Sequence, residues 1–267
     1  MVLTLFRNGR GNAAKGKNRL SLCLSVVWIA LVAAVIRVDG GAPDIELVLV
    51  KAGAFTMGCA SDNCFDREKP AHEVTLTNDF YIGKYPVTQR QWEAIMGNNP
   101  SRFRGDSRPV EQVNWEDIQR FITRLNALTG RNFRLPTEAE WEFAARGGLD
   151  SEGHSYAGSG VISEVAWYGH FDGGNSGMGT HQVGAKDPNE LGIHDMTGNV
   201  WEWINDIYWS YTAEAKTNPT GRASGRSRVI RGGSWASHAQ DCRITFRNQA
   251  FPDYRAHDIG FRLALTP

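Results

Sequence analysis

Asp195, Gly198, Val200 and Glu202 stand close together in the segment DMTGNVWE. Calcium needs several hard oxygens at once, from carboxylates and from carbonyls of a bent backbone, and a turn with two carboxylates and a glycine can supply them. Taken alone, the residues fit equally plain roles, an Asp helix cap and a surface Glu. Sulfur offers a second chemistry. Cys59 and Cys64 lie five apart in the polar run CASDNC. In an oxidising compartment that spacing reads as a local disulfide, with two free loop thiols as the alternative. Cys242 is then left without a partner. The seven His are scattered and form no H-x3-H pattern on a helix.

These residues need elements to hold them. Three helices are signalled. One opens at Thr88, with Gln91 closing a capping box, buries Trp92, Ile95 and Met96, and stops at Gly97. A second opens at Asn114 and carries Trp115, Ile118, Phe121, Ile122, Leu125 and Leu128 in one stripe up to Gly130. A third opens at Thr137 with Glu140 as its box partner, and sets Trp141 and Ala145 on one face. Strand patterns occur at Glu46–Val50, Phe55–Met57, His72–Leu76, Tyr81–Gly83, Val200–Trp203, Arg228–Arg231, Arg243–Phe246 and Ile259–Leu265. Gly148 to Asn189 is polar, Gly-rich and almost without regular pattern. A loop region that long in a compact domain is usually functional or held by ions.

Residues 1–42 read as an export segment. Five basic residues precede the uncharged run Leu20–Ile36, and Gly40, Gly41 and Ala42 follow it. The run holds 17 residues, the low edge of a membrane span. It therefore reads as a cleaved signal peptide or as a retained anchor that attaches the protein to a membrane. Either way residues 43–267 form one domain outside the cytosol, at an extracellular, periplasmic or envelope surface. That body keeps 23 basic and 28 acidic residues, a net charge of −5. An acidic balance argues against nonspecific nucleic-acid binding.

The segments FTMGC, EKPAHEVTL, FYIGKYPVTQRQWEAIMG, RPVEQVNWEDI, RLPTEAEWEFAARGG, LGIHDMTGNVWEW, RVIRGGSW and IGFRLAL follow one another from Glu46 to Leu265. In this order they resemble the formylglycine-generating-enzyme (sulfatase-modifying factor) family. The resemblance implies an α+β chain with a C-type lectin-like fold: a small antiparallel sheet, few helices and much irregular loop. It implies calcium at Asp195 and Glu202 through side chains and at Gly198 and Val200 through carbonyls, with Asp195 replacing the usual Asn. It also implies how the enzymes work: two cysteines after the GGS-aromatic motif bind copper as thiolates and activate oxygen. Here those positions hold Ser237 and Cys242. Cu(I) prefers paired soft thiolates, and a serine hydroxyl is a hard, poor ligand. No copper and no catalysis are expected; a formylglycine-generating oxidase with an altered site is the alternative, and a structural envelope component a further one.

The tail from about 231 to 262 alternates framework-like pieces with unpatterned runs. Ala236, Ser237, His238, Asp241, Ile244, Phe246, Ala250, Phe251, Tyr254, Ala256, His257 and Asp258 occupy the runs. The arrangement, with AQ-x-CR kept and the placement near the C-terminus, resembles variable proteins of diversity-generating retroelements. Those proteins randomise adenines in Asn codons, and all twelve residues fall in the set such codons yield. The resemblance implies a diversified site for a ligand of unknown identity, a protein or cell-surface molecule. Aromatic and small polar side chains on loops over a rigid frame suit such a surface.

Overall fold

The computed structural model describes residues 34–36 and 43–267. The export segment expected over 1–42 lies outside the described residues except for the strand at 34–36. Among the described residues no helix is long and apolar enough to cross a membrane.

Twelve strands are described: β1 (Ala34–Ile36), β2 (Ile45–Val50), β3 (Gly53–Met57), β4 (His72–Leu76), β5 (Phe80–Gly83), β6 (Phe133–Arg134), β7 (Trp201–Ile207), β8 (Lys216–Thr217), β9 (Arg228–Arg231), β10 (Arg247–Ala250), β11 (Ile259–Gly260) and β12 (Ala264–Leu265). The helices are α1 (Gln89–Met96), α2 (Trp115–Thr129), α3 (Glu138–Ala145) and the single turn α4 (Ile162–Val165). The fold is α+β with much loop. Its strands form three small sheets, ordered β1-β2-β5-β12-β6, β10-β9-β7-β11 and β3-β4-β8. Pairing is mostly antiparallel, but β11 runs parallel to β7 and β8 parallel to β4.

Local chemistry explains the helix starts. Thr88, Asn114 and Thr137 each accept an N–H from the third residue onward, and Gln91, Asp117 and Glu140 reach back to the cap. Gly97 and Gly130 end α1 and α2 in the left-handed conformation. Two expectations needed correction. Leu128 is 54% exposed, because the last turn of α2 packs through Leu125 and Asn126 instead. α3 is buried on every side rather than on one face, because the helix is wedged between sheets. Two clusters make the core. One joins α1 and α2 through Trp92, Phe121 and Phe261; the other packs α3 through Trp141 and Phe143 against β2–β5.

Cys59 and Cys64 are joined, with Cα atoms 6.3 Å apart. Cys59 N–H donates to the Glu68 carbonyl, and Arg243 donates to Cys64 Sγ at 3.3 Å, so the small ring braces the C-terminal segment. Closing a loop this short removes little denatured-state entropy. The Cys59→Ser/Cys64→Ser variant is expected to lose about 2 kcal/mol, read from its urea midpoint.

Candidate functional site

Three arginines with almost no exposure form the frame beneath the tail: Arg231, Arg247 and Arg262. Arg231 ends β9. It pairs with Glu142 of α3 and donates to the carbonyls of Thr245 (3.0 Å) and Phe246. Arg247 opens β10. It pairs with both oxygens of Glu138 (2.7 and 2.6 Å) and lies between the rings of Tyr208 and Tyr211. Arg262 pairs with Glu202 and donates to the carbonyls of Gly83 and His194. A buried guanidinium is tolerated where it is paired and hydrogen-bonded, which fixes each loop it touches; Arg231 Nε lacks a hydrogen bond among the described residues and has Glu138 Oε1 3.4 Å away.

Between β9 and the loop to β10, Gly233 has φ +73°, and a Cβ there would stand 2.5 Å from Cys242 Sγ. The GGSW turn thus lies directly on Cys242, which is free and fully buried. Burial pushes the Cys242 thiol far above its ordinary range. Arg243, its sequence neighbour, points instead to Glu68 at 2.7 Å. Ser237 Oγ accepts the Ser234 N–H at 3.0 Å and shares a hydrogen bond with Ser234 Oγ. A single buried thiol beside a hydrogen-bonded alcohol does not offer the paired thiolates that Cu(I) prefers.

The twelve tail positions separate by burial. Ile244, Phe246 and Ala256 are buried in the two core clusters and so are not ligand-contacting side chains. The expected strand at Arg243–Phe246 is also absent. Phe246 N–H donates to Arg243 O in a turn, and both apolar side chains point inward from it. Strand pairing starts only at Arg247. The other nine keep at least partial exposure. Ala250, Phe251, Tyr254 and Asp258 line a cavity of about 340 Å³ with Trp201 and Ile259. Phe251 is 61% and Tyr254 52% exposed. Ala236, Ser237, His238 and His257 lie around the Trp235 turn, where Trp235 packs against His257 with ring centroids 5.5 Å apart. Asp258 joins the two groups, since its carboxylate accepts the Ser234 hydroxyl at 3.0 Å. Burial raises the Asp258 pKa, and the Ser234 bond opposes that shift. Asp241 is half-buried, and burial raises its pKa as well.

Sequence reasoning missed several neighbours. Asn248 and Gln249 line the same cavity. Their signal was their place in RNQAFPDYR, the run that supplies Ala250. His170 and Asp172 come from the long 148–189 loop. His170 N–H donates to Trp235 O, and the Asp172 carboxylate meets the His238 imidazole. No sequence signal joins these residues; only the fold does.

The DMTGNVWE turn holds the four residues expected for calcium. Asp195, Gly198 and Asn199 all have positive φ, which curls the chain. Asp195 is buried and forms no ion pair among the described residues, and burial raises its pKa. Among the described residues its oxygens accept only the Gly184 N–H and the Asn199 amide. No hydrogen bond among the described residues uses the Gly198 or Val200 carbonyl. Glu202 is shared: Arg262 Nε bonds both of its oxygens and Trp141 Nε1 bonds Oε2, so Oε1 keeps the freer lone pair.

Residues 37–267 match the sulfatase-modifying factor enzyme 1-like domain. The chain is 34% identical over 264 residues to chaperone protein LppX of Paenibacillus barcinonensis, covering 82% of this chain and 88% of that one. It is 36% identical over 296 residues to the formylglycine-generating enzyme of Bos taurus, covering 85% and 77%. Among solved structures it matches Treponema denticola variable protein 1 with a TM-score of 0.79 at 32% identity, covering 88% of this chain and 99% of that one. On a C-type lectin-like α+β frame, the chain belongs to the formylglycine-generating-enzyme (sulfatase-modifying factor) family.

Proposed function

We propose that this family member is a ligand-binding protein without catalytic activity, exported to the extracellular space or held at the cell envelope. Its binding site is the C-terminal surface centred on Phe251, Tyr254 and Asp258, and that surface is diversified. One observation carries the reading: nine of the twelve tail positions reach the surface, while the lone Cys242 thiol is fully buried. The likeness to a variable protein supports it. Exposed aromatic anchors beside a polar seam suit a protein or cell-surface ligand. Two measurements test it. Purified protein given Cu(I), oxygen and a cysteine-containing sulfatase peptide is expected to leave the peptide mass unchanged; conversion would overturn the reading. Resequencing the gene's 3′ end across many clones should place substitutions at the surface codons, and an invariant tail with no neighbouring reverse transcriptase would reject diversification.

Calcium belongs to the same proposal, held by Asp195, Glu202 and the carbonyls of Gly198 and Val200. There it neutralises a buried carboxylate and fixes the turn that leads into β7. Binding to the native state alone stabilises by about 2.7 kcal/mol at a hundredfold excess over Kd. For a domain of this size that raises Tm by about 5–10 °C. Calorimetry with chelator and then excess calcium is expected to show that rise, and Asp195→Ala should abolish it.

A further inference from the structure

A second cavity, of about 260 Å³, lies beneath the segment that follows β7. It shares no lining residue with the cavity at Phe251. Asp206, Glu138 and Arg247 line it, and so do Lys216, Arg222 and Trp209. Glu138 and Arg247 are spent on each other. Asp206 is not spent. It is 5% exposed, and only one of its oxygens, Oδ2, accepts a hydrogen bond, the Glu138 N–H at 3.1 Å. Oδ1 accepts none among the described residues. A Cβ added at Gly221, another wall residue, would stand 3.1 Å from Oδ1 and 2.9 Å from Asp206 Cβ. Glycine therefore leaves open the space that this oxygen faces.

The unspent positive charge is separate from that oxygen. Neither Lys216 nor Arg222 forms an ion pair among the described residues, with Asp206 or any other carboxylate. Arg222 instead lies over the Trp209 ring at 3.9 Å. The lining thus holds both signs: a buried carboxyl, two cations without an ion pair among the described residues, and the Trp209 indole. Leaving a buried carboxyl short of partners is costly, and burial together with nearby Glu138 raises its pKa to about 8. A volume under the range of drug-sized sites, about 300–1,000 Å³, limits the guest to a small molecule. A pure cation would meet Lys216 and Arg222, and a pure anion would leave the Asp206 carboxyl without a cationic partner.

We propose that this cavity binds a small zwitterion, a free α-amino acid, with its ammonium on Asp206 and its carboxylate at Lys216 and Arg222. The site is independent of the C-terminal surface and does not require diversification or loss of catalysis. Isothermal titration of the full chain tests it with the twenty common amino acids. For each binder, the matching amine without a carboxylate and the matching acid without an amine are run in parallel. At least one amino acid is expected to bind, with each one-charge analogue about tenfold weaker or worse, a difference of about 1.4 kcal/mol. Asp206→Asn should weaken binding by a similar factor, as should Lys216→Met/Arg222→Met, both with unchanged near-UV spectra. No heat from any amino acid overturns the proposal. So does equal binding of either one-charge analogue, or an amino acid that binds Asp206→Asn as well as the native chain.

Discussion

Glu142→Ala is expected to lose about 3–5 kcal/mol of unfolding free energy. Glu142 is fully buried. One oxygen pairs with Arg231; the other accepts Arg146 at 2.7 Å and the Gly58 N–H at 2.8 Å. Removing it strands the Arg231 guanidinium, with Glu138 Oε1 at 3.4 Å as the remaining counter-charge. The cost comes from the unpaired ion and does not measure the pair's net worth. The control is Glu142→Met/Arg231→Met, which removes both charges and should recover much of the loss. Because Arg231 grips the 245–246 backbone, amide exchange should quicken across 245–250 first. A loss below about 1 kcal/mol for Glu142→Ala would refute the ionic frame.

The second large effect is set by pH. Burial, reinforced by Glu138, raises Asp206 from 3.8 to about 8, and burial raises Glu111 from 4.5 to about 7. Glu111 Oε1 accepts the Phe103 N–H, and its Oε2 has no partner. Between their unfolded and folded values the native state holds protons that the unfolded chain releases. Stability from these groups is therefore full below about pH 4 and is lost as pH rises toward 8. Each pH unit costs at most about 1.4 kcal/mol per group. Glu138 acts in the opposite sense. Burial alone would raise its pKa, but Arg247 and Arg231 outweigh burial and hold it below the ordinary value, which sets the acid limit. Asp206→Asn keeps an oxygen for the Glu138 N–H and removes the buried charge. Its urea midpoint should exceed the native one at pH 8 and approach it at pH 5. Equal gains at both pH values would reject Asp206 as the source.

How far the sequence could be read follows from where the information lies. The helix caps are local, since Thr88, Asn114 and Thr137 find their partners three residues away, and they were legible. The family motifs carried the frame. Burial in the tail was not legible. Ile244 and Phe246 alternate like a strand, yet they are anchors dropped inward from a turn. Phe251 is as apolar as Phe246 and lies outside. Residue type cannot say which way a loop turns; that depends on guanidinium grips from partners far along the chain. The contacts of His170 and Asp172 with the tail have the same distant origin, and so does the openness around Asp206.

The buried arginines seize main-chain oxygens: Arg231 those of Thr245 and Phe246, Arg262 those of Gly83 and His194. A peptide oxygen is the same whichever side chain its residue carries. The grip is therefore indifferent to spelling, and letters at the neighbouring solvent-facing positions can be rewritten without loosening it. A library confined to Gln249, Phe251, Tyr254 and His257 should yield mostly folded clones, whereas one that strays to Phe246 or Ala256 should not.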